Sequence, residues 1–366
     1  MRIVVIGTGV MGLATARVLA ERGHDVVAID QFGIGNVWSS SPGSTRIWRL
    51  AHTERFNVRL AHRTVDAWRD LERRTGRTLL LQVGLLWRGA DAVTVHESLT
   101  AEGVDAELVG ATRQHELFPE LVTDDRPVLW QPEAGALLAA EGLAAQHDLF
   151  EAAGGRLVVG ETVTDVERRP SGGVTVVTDA SRWDADVAVI TAGPWAKQLL
   201  QRVGIDLRLA PALEQLAYVA GPPGWEQRPA FVDEMRPAGG GGDGGFYAMP
   251  TPGVGYKLGI EREVRPWQSD VLDRTPDPDL QEQASEIFRR CFPGFGPEVL
   301  RSEVCTWTEG PDDHFVLDRV GDVVLGTSDN GTAFKFSPLI GEILADLTEG
   351  RPLDDDAARF SLARFA

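Results

Sequence analysis

The stretch MRIVVIGTGVMG at residues 1–12 decides the fold, because a short apolar segment runs directly into a Gly-x-Gly-x-x-Gly turn. A helical pattern of apolar residues follows the turn, and a second apolar segment, 25–30, ends in the carboxylate of Asp30. Strand, glycine turn, helix, second strand and terminal acid are together typical of a βαβ unit that binds a dinucleotide.

Each element of this unit has an expected role. Gly7 permits the tight turn, Gly9 lets the backbone approach a pyrophosphate, and Gly12 lets the helix pack closely against the strand. The helix N-terminus would face the phosphates, and Asp30 would hold a ribose hydroxyl. The first thirty residues therefore predict nucleotide binding.

The composition excludes several other classes of protein. With 366 residues, 43% of them hydrophobic, the chain is long enough for two domains and a large core. Its net charge of −18 argues against nucleic acid or an anionic membrane as a partner, since both attract basic surfaces. No apolar run reaches the roughly 18 residues needed to span a bilayer, and the apolar start is too short for a signal peptide. We therefore expect a cytoplasmic protein.

The two cysteines, Cys291 and Cys305, form no CxxC motif. Their spacing indicates neither a zinc site nor a disulfide framework, and we expect no bound metal.

Strand and helix patterns indicate that the nucleotide-binding sheet is assembled from separate parts of the chain. The periodicity predicts helices near 56–74, 144–153 and 338–347, strands near 79–87, 155–160, 187–195 and 322–326, and a hairpin of 163–168 with 174–178. We expect an α/β protein with a discontinuous Rossmann-type domain, residues 1–80, 140–205 and 305–366. A substrate domain with a mixed β-sheet, residues 81–139 and 206–304, is inserted into it.

Several segments resemble the amine oxidases of the D-amino-acid oxidase and glycine oxidase superfamily, above all the monomeric sarcosine oxidase group, which includes N-methyltryptophan oxidase and pipecolate oxidase. They are the glycine turn, Thr45-Arg46, AGPW at 192–195, GYKLG at 255–259, the segment around Cys305 and FKFS at 334–337. The turn is widely shared among nucleotide-binding proteins, whereas the cysteine segment and FKFS are far more specific. The resemblance covers nearly the whole chain and implies FAD as the cofactor.

The resemblance also assigns roles to individual residues. Cys305 matches the cysteine that bonds covalently to the flavin ring, Lys257 matches the lysine that activates oxygen, and Arg46 matches an arginine close to the flavin. Arg49 and Lys335 match the pair that holds the substrate carboxylate, by a bidentate fork and a point charge. Cofactor contacts are further expected at Ser41, Thr45, Val163, Gly193, Trp195, Gly331 and Lys335.

The chain departs from the family pattern in the residues that would line the substrate pocket. Pro42, Glu261 and Thr332 stand where the pattern has histidines, Trp307 replaces a tyrosine, and Ala333 replaces a glycine. Residues 326–331 are also two residues longer than the family's version. We therefore expect the same reaction on a different substrate, with Glu261 and Trp307 as candidate substrate contacts; Glu261 could equally point outward.

The expected reaction is FAD-dependent oxidation of the C–N bond of a secondary amino acid, N-methylated or cyclic, to an imine, with O2 reduced to H2O2. A first alternative is a primary L- or D-amino-acid oxidase, or a ring-oxidising tailoring enzyme, of the same superfamily. The glycine turn alone would also suit an NAD-dependent dehydrogenase, or a nucleotide-binding protein without turnover. The oligomeric state stays open, with a monomer as one possibility.

Overall fold

The computed structural model describes residues 1–234 and 245–365, apart from the side chain of Glu261. Its strands are β1 (Arg2–Ile6), β2 (Asp25–Asp30), β3 (Thr45–Trp48), β4 (Leu80–Leu81), β5 (Leu85–Arg88), β6 (Glu107–Leu108), β7 (Val128–Gln131), β8 (Gly135–Leu138), β9 (Arg156–Val159), β10 (Val163–Arg168), β11 (Val174–Thr178), β12 (Arg182–Ala185), β13 (Val187–Ile190), β14 (Ala210–Val219), β15 (Ala230–Asp233), β16 (Phe246–Thr251), β17 (Gly255–Glu263), β18 (Val299–Glu309), β19 (Val316–Val320) and β20 (Val323–Thr327). Its α-helices are α1 (Val10–Glu21), α2 (Arg55–Thr75), α3 (Ala92–Ala101), α4 (Ala111–Leu117), α5 (Ala139–Ala152), α6 (Ala196–Arg202), α7 (Pro278–Cys291), α8 (Ala333–Glu349) and α9 (Asp355–Ala358).

The first sheet has six strands in the order β19-β20-β13-β1-β2-β9. All neighbours pair in parallel except β19 and β20, which are antiparallel. Helices α1, α2, α5 and α8 form one hydrophobic core with one face of this sheet. The opposite face packs against α6 and the three-stranded sheet β10-β11-β12. Covered on both faces, the strands read as nearly continuous apolar runs, as expected for a parallel sheet.

The second large sheet has eight strands in the order β18-β14-β17-β16-β15-β5-β7-β6 and is mixed, because β15 and β5 pair in parallel. Helix α7 packs on it through a cluster of aromatic rings. A small sheet, β3-β8-β4, lies between the two larger ones along the chain.

The six-stranded sheet takes its strands from residues 2–30, 156–190 and 316–327, and the eight-stranded sheet from 85–131 and 210–309. The predicted α/β class, with a discontinuous Rossmann-type part and an inserted mixed sheet, is confirmed. The exact limits of the two domains stay a prediction.

Three elements differ from the expectation. The segment predicted as one strand at 79–87 forms two strands, β4 and β5, in different sheets, because the backbone turns at Gly84. Gly84 has φ +80° and a Cβ there would lie 1.8 Å from the Trp130 ring. The last long helix begins at Ala333 rather than at Pro338, which lies inside α8. Helix α5 begins at Ala139, five residues earlier than predicted.

Candidate functional site

The glycine turn between β1 and α1 is fixed by close contacts. Gly7 has φ +92°, and a Cβ there would lie 2.7 Å from the carbonyl oxygen of Thr191. A Cβ on Gly12 would lie only 2.0 Å from the carbonyl oxygen of Gly7. Gly9 is different, because its φ of −62° suits any residue and its Cβ would meet only the Ser41 hydroxyl, at 3.2 Å. Close packing thus requires glycine at positions 7 and 12. At position 9, the lack of a side chain leaves the outer surface of the turn open.

The turn opens onto a cavity of about 380 Å³ that extends along the carboxyl ends of β1, β2, β13 and β20. Seven of the predicted cofactor residues line it: Gly7, Gly9, Asp30, Ser41, Val163, Gly193 and Trp195. This edge of a parallel α/β sheet is where ligands generally bind. Gly12 lies behind the turn.

The Asp30 carboxylate is held in a fixed orientation at one end of the cavity. One of its oxygens accepts hydrogen bonds from the Thr8 amide (2.8 Å) and the Thr8 hydroxyl (3.0 Å). The other accepts from the backbone amides of Phe32 (2.8 Å) and Gly33 (2.7 Å). These four donors occupy the four lone-pair sites of the carboxylate, so a ligand hydroxyl would bind Asp30 in place of one of them, such as the Thr8 hydroxyl.

The turn between β20 and α8 lines the other end of the cavity with polar groups. Ser328 and Asn330 have φ of +59° and +45°, values that side chains rarely adopt. The Thr327 and Ser328 hydroxyls are buried and have no hydrogen-bond partner among the described residues. Buried polar groups are normally paired, so these hydroxyls fit a polar ligand in the cavity.

Asp329 lies in the same turn and lines the cavity. Burial raises the pKa of its carboxyl to about 6. Its oxygens accept from the backbone amides of Thr308 (3.1 Å) and Gly331 (3.0 Å), which oppose that shift. The Gly331 amide therefore helps to hold this turn in place. Gly331 itself does not line the cavity.

Lys257 and Arg46 form a pair of cations beside the cavity. Lys257 on β17 is fully buried and donates a hydrogen bond to the carbonyl oxygen of Thr45. Burial, followed by repulsion from Arg46, lowers the pKa of Lys257 to about 7. Arg46 donates to the carbonyl oxygens of Ser40, Pro42 and Thr45, so it also fastens the loop that carries Ser41.

Cys305 lies on β18 in the same group of charges. Burial, followed by the negative charge of Glu214, raises the pKa of its thiol to about 12. Arg46 and Lys257 oppose this shift. The structure thus brings Lys257, Arg46 and Cys305 together, as the resemblance implies.

Arg49 and Lys335 form a second pair of cations, which is connected to the first because the Arg46 guanidinium lies 5.5 Å from the ring of Phe334, the residue before Lys335. The Arg49 guanidinium stacks over the Trp87 ring at 4.3 Å. Lys335 lies in the first turn of α8 and is only 5% exposed. Burial and then repulsion from Arg49 hold the pKa of Lys335 well below its usual range. Two cations brought together in a buried setting favour an anion between them.

The two predicted substrate contacts have different outcomes. Trp307 lies two residues after Cys305, on the same face of β18, and is half-buried. The side chain of Glu261 lies outside the described part of the structure, so its predicted role stays a prediction.

Sequence reasoning missed four side chains of this region. His52 lies three residues after Arg49, and burial, then Lys335 and Arg49, hold its pKa well below the usual value. Glu214 and Tyr247 lie beside Cys305, and Asp329 lines the cavity. The sequence did contain a signal for Glu214, because it is a charged residue within the largely apolar strand β14.

The chain belongs to the DAO family of FAD-dependent oxidoreductases, which it matches over residues 2–347. It is 31% identical to the peroxisomal sarcosine oxidase of Mus musculus, over 99% of this chain and 96% of that protein. It is 28% identical to a monomeric sarcosine oxidase of Bacillus sp. (strain NS-129), over 100% of this chain and 97% of that protein. The solved structure of NikD, an unusual amino acid oxidase essential for nikkomycin biosynthesis, has a TM-score of 0.86 at 28% identity, covering 98% of this chain and 96% of that one.

These comparisons confirm the predicted family and make the protein an FAD-dependent oxidoreductase. The nicotinamide-dependent alternative thereby loses its support. Within the described residues, no helix is long and apolar enough to cross a membrane, and no cluster of side chains suits a metal ion.

Proposed function

We propose that this protein oxidises the C–N bond of a secondary amino acid, N-methylated or cyclic, to an imine and passes the electrons to O2. The observation that carries the proposal is the arrangement of two cation pairs, each with a buried lysine and a half-buried arginine, beside a dinucleotide cavity. Lys257 and Arg46 interact with Cys305, and Arg46 lies over the ring of Phe334, the residue before Lys335. Sarcosine oxidases among its relatives support the substrate class.

The cavity residues fit FAD. The pyrophosphate would lie against the turn at Gly9, a ribose hydroxyl would bind Asp30, and the hydroxyls of Thr327 and Ser328 would find partners on the cofactor. Bound FAD supplies the two-electron acceptor for the reaction.

The chain's own residues would position the reactants. Arg49 and Lys335 would bind the substrate carboxylate and so hold the α-carbon in one orientation. The positive charge of Lys257, with that of Arg46, would stabilise the negative charge that develops on O2 as it is reduced. The half-buried Trp307 would form part of the pocket wall.

The substrate class is tested by peroxide release from a panel of N-methyl, cyclic and primary amino acids of both chiralities. The carboxylate clamp is tested by Lys335→Met, which removes one charge-assisted hydrogen bond worth about 2 kcal/mol and lowers kcat/KM about thirtyfold. Lys197→Met is the matched control, because Lys197 is exposed on α6. An unchanged kcat/KM in Lys335→Met for a carboxylated substrate would show that the clamp is wrongly assigned.

A second candidate function is oxidation of a ring in a tailoring reaction. The similarity to NikD, at 28% identity over nearly the whole chain, favours it. In the panel, faster turnover of partly unsaturated cyclic acids than of N-methyl acids would select it.

The proposal includes a covalent bond between Cys305 and the flavin. Acid precipitation tests it directly, since a tethered flavin stays in the pellet and Cys305→Ala releases it. A cytoplasmic location and the oligomeric state stay predictions.

A further inference from the structure

Glu214 is a buried carboxylate that the proposed oxidation does not use. It lies on β14, is 5% exposed, and stands directly opposite Cys305 in the antiparallel pairing of β14 with β18. One carboxylate oxygen, Oε2, lies 4.0 Å from the Cys305 sulfur. The register of the sheet, rather than a flexible loop, therefore sets this contact.

The other carboxylate oxygen is held from the opposite side. The pairing of β14 with β17 is irregular between Glu214 and Leu216. A Cβ on Gly259 of β17 would lie 2.7 Å from Glu214 Oε1 and 2.4 Å from the Tyr247 ring. The absence of a side chain at Gly259 thus makes room for Tyr247 and Glu214, which are hydrogen-bonded to each other.

The bond proposed between Cys305 and the flavin requires loss of the thiol proton. The thiolate, not the thiol, is the nucleophile, and the pKa of this thiol is raised to about 12. At neutral pH only about one thiol in 10⁵ would be ionised. A base in contact with the sulfur removes this barrier, and within the described part of the chain Glu214 has a carboxylate oxygen 4.0 Å from it.

We propose that Glu214 is the base that accepts the Cys305 thiol proton when the flavin is tethered. The inference rests on the covalent attachment proposed above. In the balanced step, the S–H bond and one C–H bond of a flavin methyl group break, and an S–C bond forms. The two electrons released pass to the flavin ring and then to O2, which leaves as H2O2.

The test compares purified full-length wild type with Glu214→Gln and Glu303→Gln. Glu303 lies two residues from Cys305 and accepts a hydrogen bond from Tyr218 (2.9 Å), so the second variant is a matched loss of charge in the same cluster. Tethering is measured by flavin fluorescence in denaturing gels and by the intact mass of the chain, over time in aerated buffer with added FAD. We expect wild type and Glu303→Gln to carry tethered flavin. Glu214→Gln should at first hold FAD without the bond and then form the bond about a hundredfold more slowly.

The visible flavin spectrum of Glu214→Gln reports whether the variant still folds around FAD. If it holds none, Glu214→Asp replaces it; this variant keeps the carboxylate one methylene further back and should tether slowly but measurably. Tethering at the wild-type rate in the Gln variant, or its loss in Glu303→Gln to the same extent, would overturn the assignment, as would a wild-type protein without tethered flavin.

Peroxide release separates this inference from the proposed substrate class. A wild-type protein that oxidises secondary amino acids without tethered flavin contradicts the Cys305 bond and with it the role of Glu214, but leaves the substrate proposal standing. A tethered protein inactive on the whole panel contradicts only the substrate proposal.

Discussion

The charge of Lys257 should make the reaction with oxygen depend on pH. Burial and the neighbouring Arg46 lower the pKa of this lysine to about 7. Its cationic form prevails below that pH and is lost above it. Each further pH unit reduces the protonated population about tenfold, so about 1% of the molecules carry the charge at pH 9. Because only the cation stabilises negative charge on O2, reoxidation of the reduced flavin should slow as pH rises through 7.

The assay reduces the enzyme anaerobically, mixes it with oxygenated buffer and follows the return of flavin absorbance between pH 6 and 9.5. We expect a decline of up to about a hundredfold, the usual effect of removing one such donor, down to a plateau at which Arg46 still contributes its charge. Lys257→Met should react at the plateau rate at every pH.

Lys257→Arg provides the matched control, since a guanidinium stays charged over the whole range. Its rate should lack the decline. A wild-type rate that is constant from pH 6 to 9.5, or a decline that persists unchanged in Lys257→Met, would refute the reasoning.

Two further pairs of substitutions separate the parts of the cofactor site. Gly12→Ala forces a methyl group to 2.0 Å from the Gly7 carbonyl oxygen. It should lower the free energy of unfolding, measured by urea titration, by about 3 kcal/mol. Gly9→Ala should leave the free energy of unfolding nearly unchanged but reduce the flavin content of the purified protein. Equal effects of the two changes on unfolding would contradict the roles assigned to the turn. Arg46→Gln removes the guanidinium bonds to two loop carbonyls and to that of Thr45, and should lower the amount of flavin bound per chain. Arg156→Gln, a surface change on β9, should not lower it, and equal flavin in both variants would argue against the loop's role.

The nucleotide-binding unit was predictable because its constraints are local. Three glycines and one acid within thirty residues specify the turn, and the structure places each of them as the spacing indicates. The turn at Gly84 that separates β4 from β5 was not predictable in the same way. It depends on the ring of Trp130, which reaches this position only after β5 and β7 have paired.

The candidate site was likewise predictable only in part from the sequence. Lys257 and Lys335 are two of only three lysines in the chain, and both are buried, so their rarity was a signal in the sequence itself. The contact between Glu214 and Cys305 joins residues that are far apart in sequence. It follows from the register of β14 and β18, which no local pattern reveals.

The order in which the chain is made has a consequence for the living cell. Helix α1 is buried over nearly its whole length, and α8 covers it so closely that a Cβ on Gly341 would lie 2.7 Å from the Ala14 carbonyl carbon. At about 5–20 residues per second, ribosomes need roughly 15–65 seconds to synthesise the segment that separates these two helices. Until then the nascent N-terminal unit exposes an apolar surface that chaperones would have to shield. The wall of the cavity formed by residues 326–333 is also missing during this time. FAD capture therefore has to wait until residues 326–333 and helix α8 have been synthesised.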